Sequence, residues 1–222
     1  MAQILPGPGA FRAVVFDLDE ALLSRGGAWR YAIEEAVIAV SGRRLSAEPL
    51  ASEYRNRPWR HALSVLIQDQ AELGRCESLC AEMFGRSALK RLTVHEGLGM
   101  ALDHLRGARI EVGAVTREPH ALAIKQIQST GLDRFLTVLS ATPAGEEYDL
   151  GARFQECLRF LERPAPDCAF VGADPHDLRH AAGLGASCFF AAWSDPGADP
   201  PGFALLERPA DLAALVTARN RR

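Results

Sequence analysis

Apolar residues along the chain form short, nearly unbroken runs that alternate with longer stretches in which they recur every third or fourth position. The run RAVVFDL (12–18), rich in Val and Phe, predicts a buried strand. Beyond the polar SRGGA, residues Trp29, Ile33, Ala36, Val37 and Val40 keep helical spacing, and Gly42 supplies a stop. Ser46 with Glu48 and Pro49 predicts a further helix start. PWRHALSVLIQDQAEL (58–73) reads as a helix opened by Pro58 and closed by Gly74, and 76–92 is mostly helical. No strand pattern interrupts residues 24–92. Past that point the rhythm changes. Helices are predicted at 98–107, 119–132, 152–163, 175–185 and 209–220, with strands at 110–116, 135–141, 168–173 and 186–193. SDPGADPPG (194–202) is loop by its Pro, Gly and Asp content.

Strand alternating with helix at this pitch predicts an α/β fold with a parallel sheet and crossover helices. A chain of 222 residues, 48% hydrophobic and 24% charged, suffices for one good core or a core plus a small lobe. A net charge of −3 carries no basic footprint, so no nucleic-acid partner is expected. No apolar run reaches the roughly 18 residues of a membrane span, so no membrane partner is expected. MAQILPGPGA (1–10) lacks a basic start and a long apolar stretch, and a cytoplasmic location is the expectation. Cys76, Cys80, Cys157, Cys168 and Cys188 are scattered without a companion His cluster and read as reduced, buried thiols. Of 25 basic residues only Lys90 and Lys125 are lysines.

In open parallel sheets, ligands bind beyond the carboxyl ends of the strands. The polar residues predicted there are Asp17 and Asp19 after the first strand, Thr116 and Arg117 after the second, SATPAGEEYD after the third, and Asp174 and Asp177 after the fourth. Taken singly, each has a bland role: strand-end solvation for the aspartates, helix capping for Asp177, a surface cation for Arg117. Trp29 and Trp59 read as packing residues.

Together these residues resemble the motifs of the haloacid dehalogenase (HAD) superfamily, in the phosphoglycolate phosphatase-like branch with a helical cap. FDLDEALL matches the first motif, usually FDLDGTL. Thr116 in AVTRE matches the second, and VGADPHDLRHAAGLGA matches the fourth, usually VGDSPNDIEAARAAG. The resemblance covers nearly the whole chain. It implies a HAD-like Rossmannoid core of five parallel strands (1–23 and 93–222) with an inserted all-α cap domain (24–92). It also implies aspartyl-phosphate chemistry. Asp17 would be the nucleophile and Asp19 the general acid and base. Thr116 and Arg117 would bind phosphate. Mg²⁺ would be held at Asp17, Asp19 and an acid of the fourth motif, Asp174 or Asp177. The partner would be a small phosphorylated molecule.

The departures from the pattern matter as much. Glu20–Ala21 replaces the usual Gly–Thr. Ala173 stands where the fourth motif has its first acid, with Asp174 one residue late, so Mg²⁺ is expected to bind weakly. The motif lysine is missing from ATPAGEEYDLGARF. Tyr148 lies near its place, read as loop packing, and Arg153 is the nearest cation in sequence and the expected substitute. Two functions follow: a weak phosphatase using substitute residues, or a catalytically inactive descendant that binds a phosphometabolite or a protein. A metal-free dehalogenase is a third, which Asp19 disfavours.

Overall fold

The computed structural model describes residues 11–45, 59–198 and 200–212. By its internal contacts the chain divides into two compact units, one of residues 1–24 with 94–222 and one of residues 25–93. The predicted helix start at Ser46, Pro58 at the head of the next helix, residues 1–10 and the part of the predicted last helix beyond residue 212 lie outside the described residues.

The first unit is built on strands β1 (Ala13–Asp17), β4 (Glu111–Pro119), β5 (Val138–Thr142), β6 (Cys168–Gly172), β7 (Ser187–Ala191) and β8 (Ala204–Leu206). They form one sheet in the order β5-β4-β1-β6-β7-β8, parallel throughout. The short segments β2 (Leu23–Ser24) and β3 (Thr93–Val94) pair in a separate two-stranded sheet. The helices α4 (Leu98–Gly107), α5 (His120–Thr130), α6 (Leu150–Leu161) and α7 (Pro175–Gly183) accompany the main sheet.

Every residue of β1 is buried, because the strand lies at the sheet centre with helices over both faces. Its side chains divide with a period of two. Val14 and Phe16 join one core with Leu98, Leu102 and Ala169, while Ala13 and Val15 join the other with Phe154, Leu158 and Phe170. Each fully buried Val, Leu or Phe contributes about 1.5–3 kcal/mol relative to exposure. The packing is close: a Cβ added at Gly113 on β4 would lie 2.5 Å from Cys157 Sγ.

Among the described residues the sheet has six strands where five were expected. β8 falls in the tail, where Ala204–Leu206 is too short to show any alternation, yet it pairs parallel with β7. The run at 135–141 begins later as strand than its apolar pattern suggests, because Leu132–Arg134 forms a 3₁₀ turn that leads Phe135 into the core. β5 therefore starts at Val138.

The second unit holds α1 (Gly26–Ser41), α2 (Trp59–Leu66) and α3 (Gln70–Phe84), with a 3₁₀ turn at Ala88–Arg91. The helix expected to end at Gly74 instead breaks earlier. Asp69 caps a new helix by accepting a hydrogen bond from Glu72 N–H at 2.8 Å, and α3 runs on through Gly74. Gly42, at φ 69°, closes α1 in the left-handed conformation. Trp29 stacks on Phe84 at 3.6 Å between ring centroids and on Trp59 at 4.6 Å, which accounts for both tryptophans as packing residues. Among the described residues no helix is long and apolar enough to cross a membrane. All five cysteines are unpaired by disulfides, and four are buried.

Candidate active site at the carboxyl ends of the central strands

From β1 the chain crosses to β4 and β5 on one side and to β6, β7 and β8 on the other. The connections diverge about β1, which opens a crevice beyond its carboxyl end. Asp17 is the last residue of β1. It caps a single π-turn, Leu18–Leu22, by accepting Asp19 N–H on Oδ1 at 2.9 Å. This wide turn returns the Asp19 carboxylate to the strand ends, where both acids are buried.

β4 supplies the next pieces. Its pairing with β5 jumps from Thr116↔Ala141 to Pro119↔Thr142, an irregularity that bends the strand at the site. Thr142 Oγ1 pins the bend by donating to the Thr116 carbonyl at 2.9 Å. Thr116 Oγ1 donates to Asp19 Oδ1 at 2.8 Å, and Arg117 N–H donates to Asp19 Oδ2 at 2.8 Å. The Asp19 carboxylate thus sits on a hydroxyl and an amide that together form a small anion cradle.

Beyond β6, Asp174 caps α7. Its Oδ1 accepts His176 N–H at 2.8 Å, and Pro175 takes the first helical position. Because the chain turns there, the one-residue offset of Asp174 does not aim it away: Asp174 Oδ2 accepts Arg117 Nη2 at 3.1 Å. The same nitrogen donates to Asp177 Oδ2 at 2.9 Å, and Tyr148 Oη donates to that oxygen at 3.3 Å. The guanidinium lies over the Tyr148 ring, 4.3 Å from its centroid. Tyr148 is therefore part of the site and not mere loop packing.

Arg153 is not the substitute cation. Its Nη1 donates to the Ala141 carbonyl and to Glu156 Oε2, on the flank of β5. Charge balance at the site falls to Arg117. At an effective dielectric of about 20, unit charges ~4 Å apart interact by roughly 4 kcal/mol. Among the described residues one guanidinium faces Asp17, Asp19, Asp174 and Asp177, which leaves net repulsion among the acids. Burial, then the neighbouring Asp19 and Glu20, push the Asp17 carboxyl well above the usual carboxylate range, against the opposing pull of Asp19 N–H. Burial also raises Asp177, against the pull of Arg117. Burial and the charges of Asp17 and Asp177 push the Tyr148 phenol far up, so it stays a donor.

Two residues that no motif singled out fix the turn carrying Asp19. His95 Nε2 lies 2.8 Å from the Glu20 carbonyl, and Trp193 Nε1 donates to the Ala21 carbonyl at 3.0 Å. Burial lowers the His95 pKa, against the pull of backbone hydrogen bonds at Glu20 and Leu23, and a proton on Nε2 suits the Glu20 carbonyl. Ala21, where a Thr was expected, packs with no exposure in the core.

The expected magnesium ligands do not fit that ion as they stand. Asp174 and Asp177 carry Arg117, position 173 is Ala, and among the described residues no three His, Cys, Asp or Glu side chains are grouped to hold a metal.

No family model and no curated protein matches the chain. Solved structures do. A HAD-superfamily hydrolase, subfamily IA, variant 1, from Geobacter sulfurreducens superposes with a TM-score of 0.79 at 16% identity, covering 96% of this chain and 100% of that one. CbbY from Rhodobacter sphaeroides, solved with phosphate, superposes with a TM-score of 0.69 at 16% identity, covering 91% of this chain and 96% of that one. The chain has the haloacid dehalogenase fold.

Proposed function

We propose that the protein is a phosphoric monoester hydrolase of HAD type acting on a small phosphorylated molecule. The observation that carries this reading is the buried Asp17–Asp19 pair at the end of β1, tied to Thr116 and to the Arg117 amide. In the reaction, an Asp17 oxygen bonds to phosphorus as the ester P–O bond breaks, and Asp19 protonates the departing oxygen. Asp19, now anionic, takes a proton from water as that water attacks phosphorus. The acyl phosphate bond breaks, releasing phosphate and restoring Asp17. Thr116 Oγ and Arg117 N–H, which hold Asp19 here, are donors that a phosphoryl oxygen would use once Asp19 turns to the ester. The superposable CbbY has been solved with phosphate and, as a variant, with xylulose-(1,5)bisphosphate, which supports a phosphate ester as ligand class.

The test is hydrolysis of a panel of sugar phosphates, phosphoglycolate and nitrophenyl phosphate by wild type and Asp17→Asn. A wild-type rate well above that of the variant on one member is expected. Equal, near-zero rates throughout contradict the reading. A second reading, binding without turnover, is favoured by one observation: burial and the neighbouring Asp19 and Glu20 raise the Asp17 pKa, which disfavours the nucleophilic anion. Under it, inorganic phosphate binds and no panel member is cleaved.

A further inference from the structure

We propose that Arg117 is the resident counter-ion of the site, standing where a divalent metal would be and making phosphate binding independent of one. This rests on the phosphate-ester reading above. Arg117 Nη2 bridges Asp174 Oδ2 and Asp177 Oδ2, joining the two acids that follow β6. The Asp177 side chain is 3% exposed, so its bond to the guanidinium is shielded from water. A divalent ion needs those same oxygens and would have to displace the guanidinium from them. Asp174 is further committed, since Oδ1 caps α7 through His176 N–H. Tyr148 holds the cation from a second side, with its ring under the guanidinium and its hydroxyl on Asp177 Oδ2.

The backbone of Arg117 is held as well, through its N–H to Asp19 Oδ2, and the bend in β4 sets the direction in which the side chain leaves the strand. The cation is thus built into the strand that also carries Thr116. A guanidinium keeps its charge at every accessible pH and is not removed by a chelator. It also has donors to spare. Nη2 serves the two acids, the Arg117 side chain is 47% exposed, and Nη1 and Nε are the natural donors to a phosphoryl oxygen beside Asp17. Ala173 fits this arrangement, because a third acid there would add negative charge with no metal to offset it.

The experiment is calorimetric titration of MgCl₂ into the full-length wild type and into Arg117→Met, with thermal melts of both with and without MgCl₂. The wild type is expected to show no saturable Mg²⁺ binding up to the millimolar range and no shift in melting temperature. Arg117→Met, with its acids released, is expected to bind Mg²⁺ at least ~10-fold more tightly and to melt higher in its presence. Micromolar Mg²⁺ affinity in the wild type, or no gain in a folded Arg117→Met, overturns the proposal. Should that variant fail to fold, wild type alone decides: inorganic phosphate is titrated with and without excess EDTA. An unchanged affinity supports the resident arginine, and a loss of ~10-fold or more with EDTA refutes it. Neither titration needs turnover, so a failed hydrolysis panel and a failed counter-ion proposal remain distinct results.

Discussion

Replacing Asp17 by Asn changes one titrating group and little else. Asn keeps the Oδ1 acceptor that receives Asp19 N–H, nearly the same volume, and no proton to lose in the accessible pH range. In the wild type, burial and the charges of Asp19 and Glu20 raise the Asp17 pKa in the folded protein. The folded state therefore retains a proton at pH values where the unfolded chain, titrating near 3.9, has released it. Stability contributed by that proton is fully present below the unfolded value. It is lost as pH rises toward the folded value, since the slope of stability with pH follows the difference in bound protons. Each tenfold by which folding tightens proton binding corresponds to about 1.4 kcal/mol. In a chain of this length ~1 kcal/mol moves the melting temperature by roughly 2–4 °C. Asp17→Asn is thus expected to melt above the wild type at pH 8, by roughly 3–5 °C for each tenfold by which folding tightens proton binding, with the gap closing as pH falls toward 4. The assay is a set of melts of both proteins from pH 4 to pH 8 in one ionic-strength series. An Asn variant that melts lower than the wild type at pH 8 refutes the reasoning. It would mean that the cation in the site outweighs the burial of Asp17.

Thr116→Val removes a buried hydroxyl that donates to Asp19 and accepts from Glu118 N–H at 3.0 Å, so a loss of about 1–3 kcal/mol is expected in denaturant melts, together with weaker phosphate binding by calorimetry. Gly113→Ala forces Cys157 Sγ and Leu161 Cδ1 to give way under β4, and chemical denaturation is expected to register about 1–3 kcal/mol of destabilisation with the hydrolysis panel used to follow any distant effect on Asp17. Burial pushes the thiols of Cys80, Cys157, Cys168 and Cys188 up to about 12, so a thiol reagent at pH 8 is expected to label the native chain slowly and all five cysteines promptly once it is denatured.

The parts of the site readable from sequence were those set by local pattern. Asp17 and Asp19 close an apolar run, and Thr116 closes another, so the strand-end rule brings them to one edge. The two faces of β1 are equally readable, because burial on both sides leaves an unbroken apolar run. Arg117 carried a phosphate-binding expectation, but its partners are 57 and 60 residues further on. No spacing rule reports a bond across that distance, and the bend in β4 that aims the side chain has no signature in apolar periodicity. Arg153 was the nearer cation in sequence but belongs to Glu156, since both lie on one face of α6 three residues apart. His95 and Trp193 received no role from the sequence because each acts on the backbone of the turn and not on another side chain. One missed boundary did have a signal: Asp69 followed by Glu72 has the spacing of a helix start, and it outweighed Gly74 as a stop.

The central claim is that Asp17 attacks phosphorus, and the most direct measurement is mass spectrometry of the protein quenched in acid during incubation with an acyl phosphate or a reactive phosphate ester. The account predicts a peptide carrying one added phosphoryl group on Asp17 and absent from Asp17→Asn. A wild type that hydrolyses the ester while Asp17 stays unmodified, or an Asp17→Asn variant that hydrolyses it equally fast, would contradict it.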